Sequence, residues 1–249
     1  MTNEKMVIKL CQNASALDFK ALQDLFNQMP DLEKIYYNLY VSSKERKKSG
    51  LQKYTTDVAE KVLRKSLKLK APFFINAYKP DCNELFIAKM QKYVLLYIIV
   101  SKPCVTTLEE DIFKWVDNLF QKGLINVGYA CSSLDNWWCK NKNTNERIKD
   151  FRRREIYSQH NTLEYNYESM EQYIKQNEVW YPACWKVWLG NSIFSDLIAN
   201  DSVMQQLECF QMIEYNPGGL FIQLHKEMSH FSEYENELRR LKLYHILSK

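Results

Sequence analysis

The sequence predicts an α+β fold: a mixed, largely antiparallel sheet with helices packed mainly on one face. It is read as a single domain over 1–249, or as two joined halves, 1–80 and 81–249. Three observations predict it. Strand-helix-strand patterns run from Val7 to Val41 and from Tyr93 to Cys131. Three β-rich runs follow one another from Phe73 to Val100. Near the C-terminus, Asn216-Pro217-Gly218-Gly219 separates two runs of β-branched and aromatic residues, where proline presets φ and glycine supplies φ > 0 for a tight reversal. The two strand-helix-strand patterns lack convincing identity and are read as the ordinary build of an α+β layer.

The elements follow in order. Val7, Ile8 and Leu10 open a strand, and Ser15 with Asp18 resembles a capping box in a shorter acidic form. Leu17, Ala21, Leu22, Leu25, Phe26 and Met29 repeat at helical spacing, with Pro30 as a stop. Ile35 to Val41 is β-rich. Ser43 to Lys53, with Lys44, Arg46, Lys47 and Lys48 against Glu45, reads as a charged, solvated loop, or else as a contact patch for an acidic partner. Asp57 with Glu60 opens a second helix whose buried stripe is Val58, Ala59, Val62, Leu63 and Leu67.

Phe73 to Tyr78, Leu85 to Met90 and Tyr93 to Val100 read as successive strands. The last is almost continuously apolar, as a strand buried on both faces should be. Thr107 and Glu110 form a capping-box pair before a long helix striped by Leu108, Ile112, Trp115, Val116 and Leu119, with Gly123 placed to end it. Asn126 to Cys131 returns as a strand. From Leu134 to Val179 the pattern is least readable. Lys140, Lys142, Arg147, Lys149, Arg152, Arg153 and Arg154 stand there against Glu146 and Asp150, and a glutamate-rich segment follows. A long stretch of this kind inside a compact chain is usually functional or mobile.

The last third reads as a strand (Ala183 to Leu189), a polar break at Gly190-Asn191-Ser192, a helical segment (Ile193 to Leu207), a hairpin (Cys209 to Leu224) and an amphipathic helix (Phe231 to Leu247). The stretches Trp185 to Asn191 and Gly218 to Leu224 carry a family resemblance. A tryptophan-containing strand with a short helix after it, then a Gly-Gly-Leu-aromatic-aliphatic-Gln strand, resembles the C-terminal part of bacterial immunity proteins that neutralise toxins of type VI secretion or related polymorphic toxin systems. The resemblance implies a protein that binds a cognate toxin domain and occludes its active site, with no catalysis and no cofactor of its own.

Composition bounds the remaining readings. Hydrophobic content of 46% with only 6 Gly and 6 Pro describes a globular chain, not a disordered or fibrous one. Met1-Thr-Asn-Glu-Lys shows no secretory signal, and the longest apolar run, Tyr93 to Val100, is far below a membrane span, so a cytoplasmic protein is expected. Cys11, Cys82, Cys104, Cys131, Cys139, Cys184 and Cys209 hold no C-x-x-C pair and read as reduced, mostly buried residues, not metal ligands. A net charge of +4 is too mild to mark a nucleic-acid binder alone.

The sequence holds no G-K-[ST] phosphate loop, no G-x-S-x-G elbow and no H-E-x-x-H. His225-Lys226-Glu227 matches the H-x-E half of a zinc deaminase signature, but no P-C-x-x-C follows. The expectation is therefore a binding protein. Its candidate anchors are Trp137, Trp138, Arg152, Arg153 and Arg154, since Trp, Tyr and Arg carry most binding energy at interfaces. Two alternatives stand beside it. One is a nucleic-acid-associated protein using Lys140 to Arg154 with Trp137 and Trp138 as stacking platforms. The other is an enzyme built on His225 and Glu227 with Cys131 or Cys184 as nucleophile, which requires those residues to converge.

Overall fold

A computed structural model describes residues 5–29, 31–39, 48–68, 72–90, 93–133, 184–207, 210 and 212–247. These hold ten strands, paired antiparallel, and six α-helices, an α+β fold. The chain divides into two compact units, Met1–Asn126 and Val127–Lys249.

In the first unit, strands β1 (Lys5–Asn13), β2 (Lys34–Leu39), β3 (Lys48–Lys53), β4 (Phe73–Tyr78), β5 (Glu84–Lys89) and β6 (Tyr93–Ser101) lie in the order β3-β2-β4-β5-β6-β1. Adjacent pairs are antiparallel. The register places Ile35, Ala77 and Leu85 in one row, and Leu39, Phe73 and Lys89 in another, on a single face. Ile35, Leu39, Phe73, Ile75, Ala77, Leu85 and Ile87 on that face are all 0–1% exposed, so this is the core side. Helices α1 (Phe19–Gln28), α2 (Thr56–Lys68) and α3 (Lys102–Gln121) supply Leu22, Leu25, Phe26, Ala59, Leu63, Ile112 and Val116 to that core. The indole N–H of Trp115 donates to the Ala21 carbonyl (2.9 Å), tying α3 to α1.

The helix termini show where local rules were obeyed and where they yielded. Asp18 itself is the N-cap of α1, accepting from Lys20 N–H at 2.9 Å, while Ser15 lies in a 3-10 turn, Ala14–Ala16. Thr55 caps α2, accepting from Val58 N–H at 3.2 Å. Helix α3 begins at Lys102, with Ser101 as N-cap and Pro103 in its first turn, so the Thr107/Glu110 pair lies inside the helix and does not start it. Its other end is as expected. Gly123 has φ 68°, its N–H bonds to the Phe120 carbonyl (2.8 Å), and Leu124 N–H reaches the Leu119 carbonyl (3.0 Å), closing a Schellman motif.

The stretch read as a charged loop, Ser43 to Lys53, departs from expectation. Lys48–Lys53 is strand β3, paired with β2 from Lys34↔Lys53 to Leu39↔Lys48. Its lysines, serine and glycine are weak strand formers, and pairing with β2 overrides them. Tyr37 lies over Gly50 in this pair, its hydroxyl occupying the space of a β-carbon there.

In the second unit, β7 (Ile125–Ser132, most of it in this unit), β8 (Lys186–Gly190), β9 (Met212–Asn216) and β10 (Gly219–Gln223) run in the order β7-β8-β10-β9, with antiparallel pairs. Val187, Leu189, Leu220 and Ile222 are fully buried, and Trp188 stacks at a tilt on Phe221 with centroids 5.6 Å apart. The expected single helix from Ile193 to Leu207 is two helices, α4 (Asn191–Ile198) and α5 (Asp201–Leu207). The side chain of Asn200 accepts from Ser202 and Val203 N–H groups (3.1 and 3.3 Å), restarting the helix. Gly190-Asn191-Ser192 is not a break: Gly190 caps α4, which starts at Asn191. A 3-10 turn, Met228–Ser232, leads into α6 (Tyr234–Leu247), which buries Asn236, Arg240, Leu243 and Ile246.

Candidate functional site

The five candidate anchors, Trp137, Trp138, Arg152, Arg153 and Arg154, lie outside the described residues, as does the basic stretch Lys140 to Arg154. The residues of the catalytic alternative are described.

His225 lies two residues past the end of β10 and is 4% exposed. The Trp185 indole N–H (3.0 Å) and the Gln223 side-chain amide (3.1 Å) both donate to its carbonyl. Its Nδ1 lies 2.7 Å from the Glu227 carbonyl, an acceptor, so the proton sits on Nδ1 and the lone pair on Nε2. Burial pushes the His225 pKa below 6.5; the bond to Glu227 opposes the shift, His230 and Arg239 add to it, and Glu233 opposes it. The imidazole is therefore neutral near pH 7. Around it His230 Nδ1 stands 3.9 Å from Glu233 Oε1, the Asn236 amide donates to the His230 carbonyl (2.9 Å) and the Glu233 carboxylate (3.1 Å), and Arg239 donates to Asn236 Oδ1 (3.3 Å). This network joins the end of β10, the 3-10 turn and α6.

The ladder between β8 and β10 extends past Gln223↔Lys186, because Leu224 N–H bonds to the Trp185 carbonyl at 2.9 Å. Cys184, the residue before Trp185, is buried as well. Glu227 meets His225 through its backbone only, and as a residue it is exposed. Cys131 is fully buried in β7. Among the described residues no group of three His, Cys, Asp or Glu could hold a metal ion, and no helix is long and apolar enough to cross a membrane.

An aromatic row that sequence reasoning missed lies on the first unit's sheet, on the face opposite the core. Register sets Tyr36, Asn76, Phe86, Tyr97 and Lys9 in one row across β2, β4, β5, β6 and β1. Phe74 touches both Tyr36 (ring centroids 5.5 Å apart) and Phe86 (6.1 Å), Phe86 meets Tyr97 edge-on (5.6 Å), and Lys9 Nζ sits 4.8 Å above the Tyr97 ring. The four rings are half-buried, and the Asn76 amide donates to Glu84 at 3.0 Å within the stripe. The signal was available in the alternation of Phe74, Asn76 and Tyr78 against Phe73, Ile75 and Ala77, where two sets of large residues share one strand. Large rigid rings on a sheet face provide area at low entropic cost, a feature of protein-binding surfaces.

The fold so defined is an α+β class built on antiparallel sheet. No family model matches the chain, and no curated protein matches it. Among solved structures it is similar to the Pseudomonas aeruginosa T6SS protein PA0821, with a TM-score of 0.53 and 12% identity, over 98% of this chain and 76% of that one. At that identity the likeness is one of fold.

Proposed function

We propose that this protein is an immunity protein that binds a cognate bacterial toxin domain in the cytoplasm and occludes its active site without catalysis of its own. The observation that carries the proposal is the fold likeness to a type VI secretion protein, which bears on the whole chain where the C-terminal resemblance bears on two strands. The mechanism needs shape, a few desolvated anchors and charge complementarity. Trp137, Trp138 and the arginines 152 to 154 are the proposed anchors. Nuclease toxins are commonly basic because they bind phosphate, so a chain of net charge +4 fits a neutral or acidic toxin better.

Coexpression with the toxin-like gene encoded beside its own tests this reading. Cell survival together with a stable one-to-one complex supports it; death and no complex overturn it. A second reading, an enzyme, is favoured by one specific observation, the bond from the Trp185 indole N–H to the His225 carbonyl (3.0 Å), which ties buried His225 to the residue after buried Cys184.

A further inference from the structure

Among the described residues strand β3 ends the sheet of the first unit and pairs with β2 alone. The phase of their ladder is set by the Tyr54 N–H bond to the Glu33 carbonyl (2.8 Å), one step beyond Lys34↔Lys53. In an antiparallel pair the bonded positions alternate, so the N–H and C=O groups of Ser49, Leu51 and Lys53 point away from β2. Among the described residues they form an open row of backbone donors and acceptors.

The side chains beside this row have a definite chemistry. By the same alternation Lys34 and Lys53 are a non-hydrogen-bonded pair, the kind whose side chains stand closest. Like charges directly opposite destabilise a sheet, and neither lysine has an ion-pair partner among the described residues. Leu51 is 59% exposed on the same face, opposite Tyr36. A cleft of about 530 Å³, lined by Leu32, Glu33, Lys34, Leu51, Gln52 and Tyr54, runs beside them. The carboxylate of Glu33 is drawn toward Lys79 (3.8 Å). Tyr54 is anchored through its hydroxyl to the Phe26 carbonyl (3.1 Å).

We propose that the β3 edge docks an extended acidic segment of a partner protein as an added strand. Its backbone pairs with Ser49, Leu51 and Lys53, an apolar residue covers Leu51, and a carboxylate two positions along neutralises the Lys34/Lys53 pair. Main-chain bonds give such an interface its affinity, and alternate side chains its specificity. The lysines also argue against a second copy of this strand as the occupant, because edge lysines repel like edges. The proposal concerns the chemistry of the contact and stands whether or not the partner is a toxin.

The test uses the full chain and a blocked extended peptide in which valine and glutamate stand two positions apart with threonine between them, so that both fall on one face of the added strand, followed by backbone amide NMR and amide hydrogen exchange. The expected result is shifted resonances and slowed exchange at Ser49, Leu51 and Lys53. Binding should weaken at least about tenfold in the double variant K34E/K53E, and also in Leu51→Pro, which removes an outward N–H without breaking the ladder to β2. Three outcomes overturn the proposal: no change at millimolar peptide, equal binding of a peptide with lysine in place of glutamate, or protection of the same amides that rises with protein concentration alone, which assigns the edge to a second copy.

Discussion

Gly219 packs against the carbonyl oxygen of Leu189 so closely that no β-carbon fits between them. The contact joins the turn of the β9–β10 hairpin to the end of β8, where Asn191 N–H bonds to the Gly218 carbonyl (2.9 Å) and its side chain to the Pro217 carbonyl (2.9 Å). Gly219 also holds φ 144°, a region closed to L side chains.

Gly219→Ala therefore meets both a backbone clash and dihedral strain, and a loss of at least about 3 kcal/mol is expected. Gly123→Ala is the control. Its φ of 68° carries strain, but open space surrounds it, so the loss should be about 1 kcal/mol. Urea denaturation of the two variants checks the order, and equal losses would contradict the role given to Leu189.

His225 makes stability depend on pH. Burial lowers its pKa in the folded state below the unfolded value of 6.5, so the unfolded chain binds the proton more readily. The sign follows: the contribution is complete above about pH 6.5 and is lost as pH falls through the unfolded pKa toward the folded one. Glu233 softens the effect, and His230 and Arg239 sharpen it. Thermal melts from pH 7.5 to 5 should show a declining Tm, and His225→Gln, which keeps a hydrogen-bond donor without a titrating group, should flatten that decline.

These features also show what could be read from the chain. Gly123 after an apolar helical stripe, and Asn216 to Gly219 between two β-rich runs, are local signals, and local backbone physics decided both. Strand β6 was equally legible, observed at Tyr93–Ser101 against Tyr93 to Val100, because its apolar run is continuous, although only the face of Val94, Leu96, Ile98 and Val100 is fully buried while Tyr93, Tyr97 and Ile99 on the other are half-buried. Strand β3 was not legible, since Lys48, Ser49 and Gly50 join the sheet only through β2. The start of α3 was misplaced because a good capping pair inside a helix looks the same in sequence as one at its end. At the candidate site, the bond that ties Trp185 to His225 depends on the register between distant strands, and the aromatic row depends on four registers at once. No local pattern encodes such alignments.

The cysteines should divide sharply by reactivity. Burial pushes the Cys11 thiol up to about 12, and Cys131 and Cys184 are 0–2% exposed, whereas Cys82 is only half-buried. The thiolate is the reactive form. Native-state alkylation with iodoacetamide, mapped by mass spectrometry, should label Cys82 ahead of the other three and leave Cys11, Cys131 and Cys184 unmodified until denaturant is added. Rapid native labelling of Cys184, faster than that of Cys82, would instead mark an activated thiol beside His225 and favour the enzymatic reading.

The arginines 152 to 154 separate a protein partner from nucleic acid. In a toxin interface an arginine anchor acts after desolvation, through hydrogen bonds that set the dissociation rate, and truncating a hot-spot residue costs about 2 kcal/mol or more. On nucleic acid the same residues release counterions, and affinity falls steeply and linearly on logarithmic axes as salt rises. Alanine at Arg152, Arg153 and Arg154, together with Trp137→Ala and Trp138→Ala, should speed dissociation of the toxin complex about tenfold or more in at least one variant, with a shallow salt dependence. Surface plasmon resonance between 50 and 500 mM salt, roughly the range over which phosphate contacts are screened out, reads both quantities. Unchanged dissociation in every variant would remove these residues as anchors while leaving the complex itself standing. A steep salt slope on single-stranded DNA, lost on replacing the arginines, would move the basic stretch Lys140 to Arg154 to nucleic-acid binding.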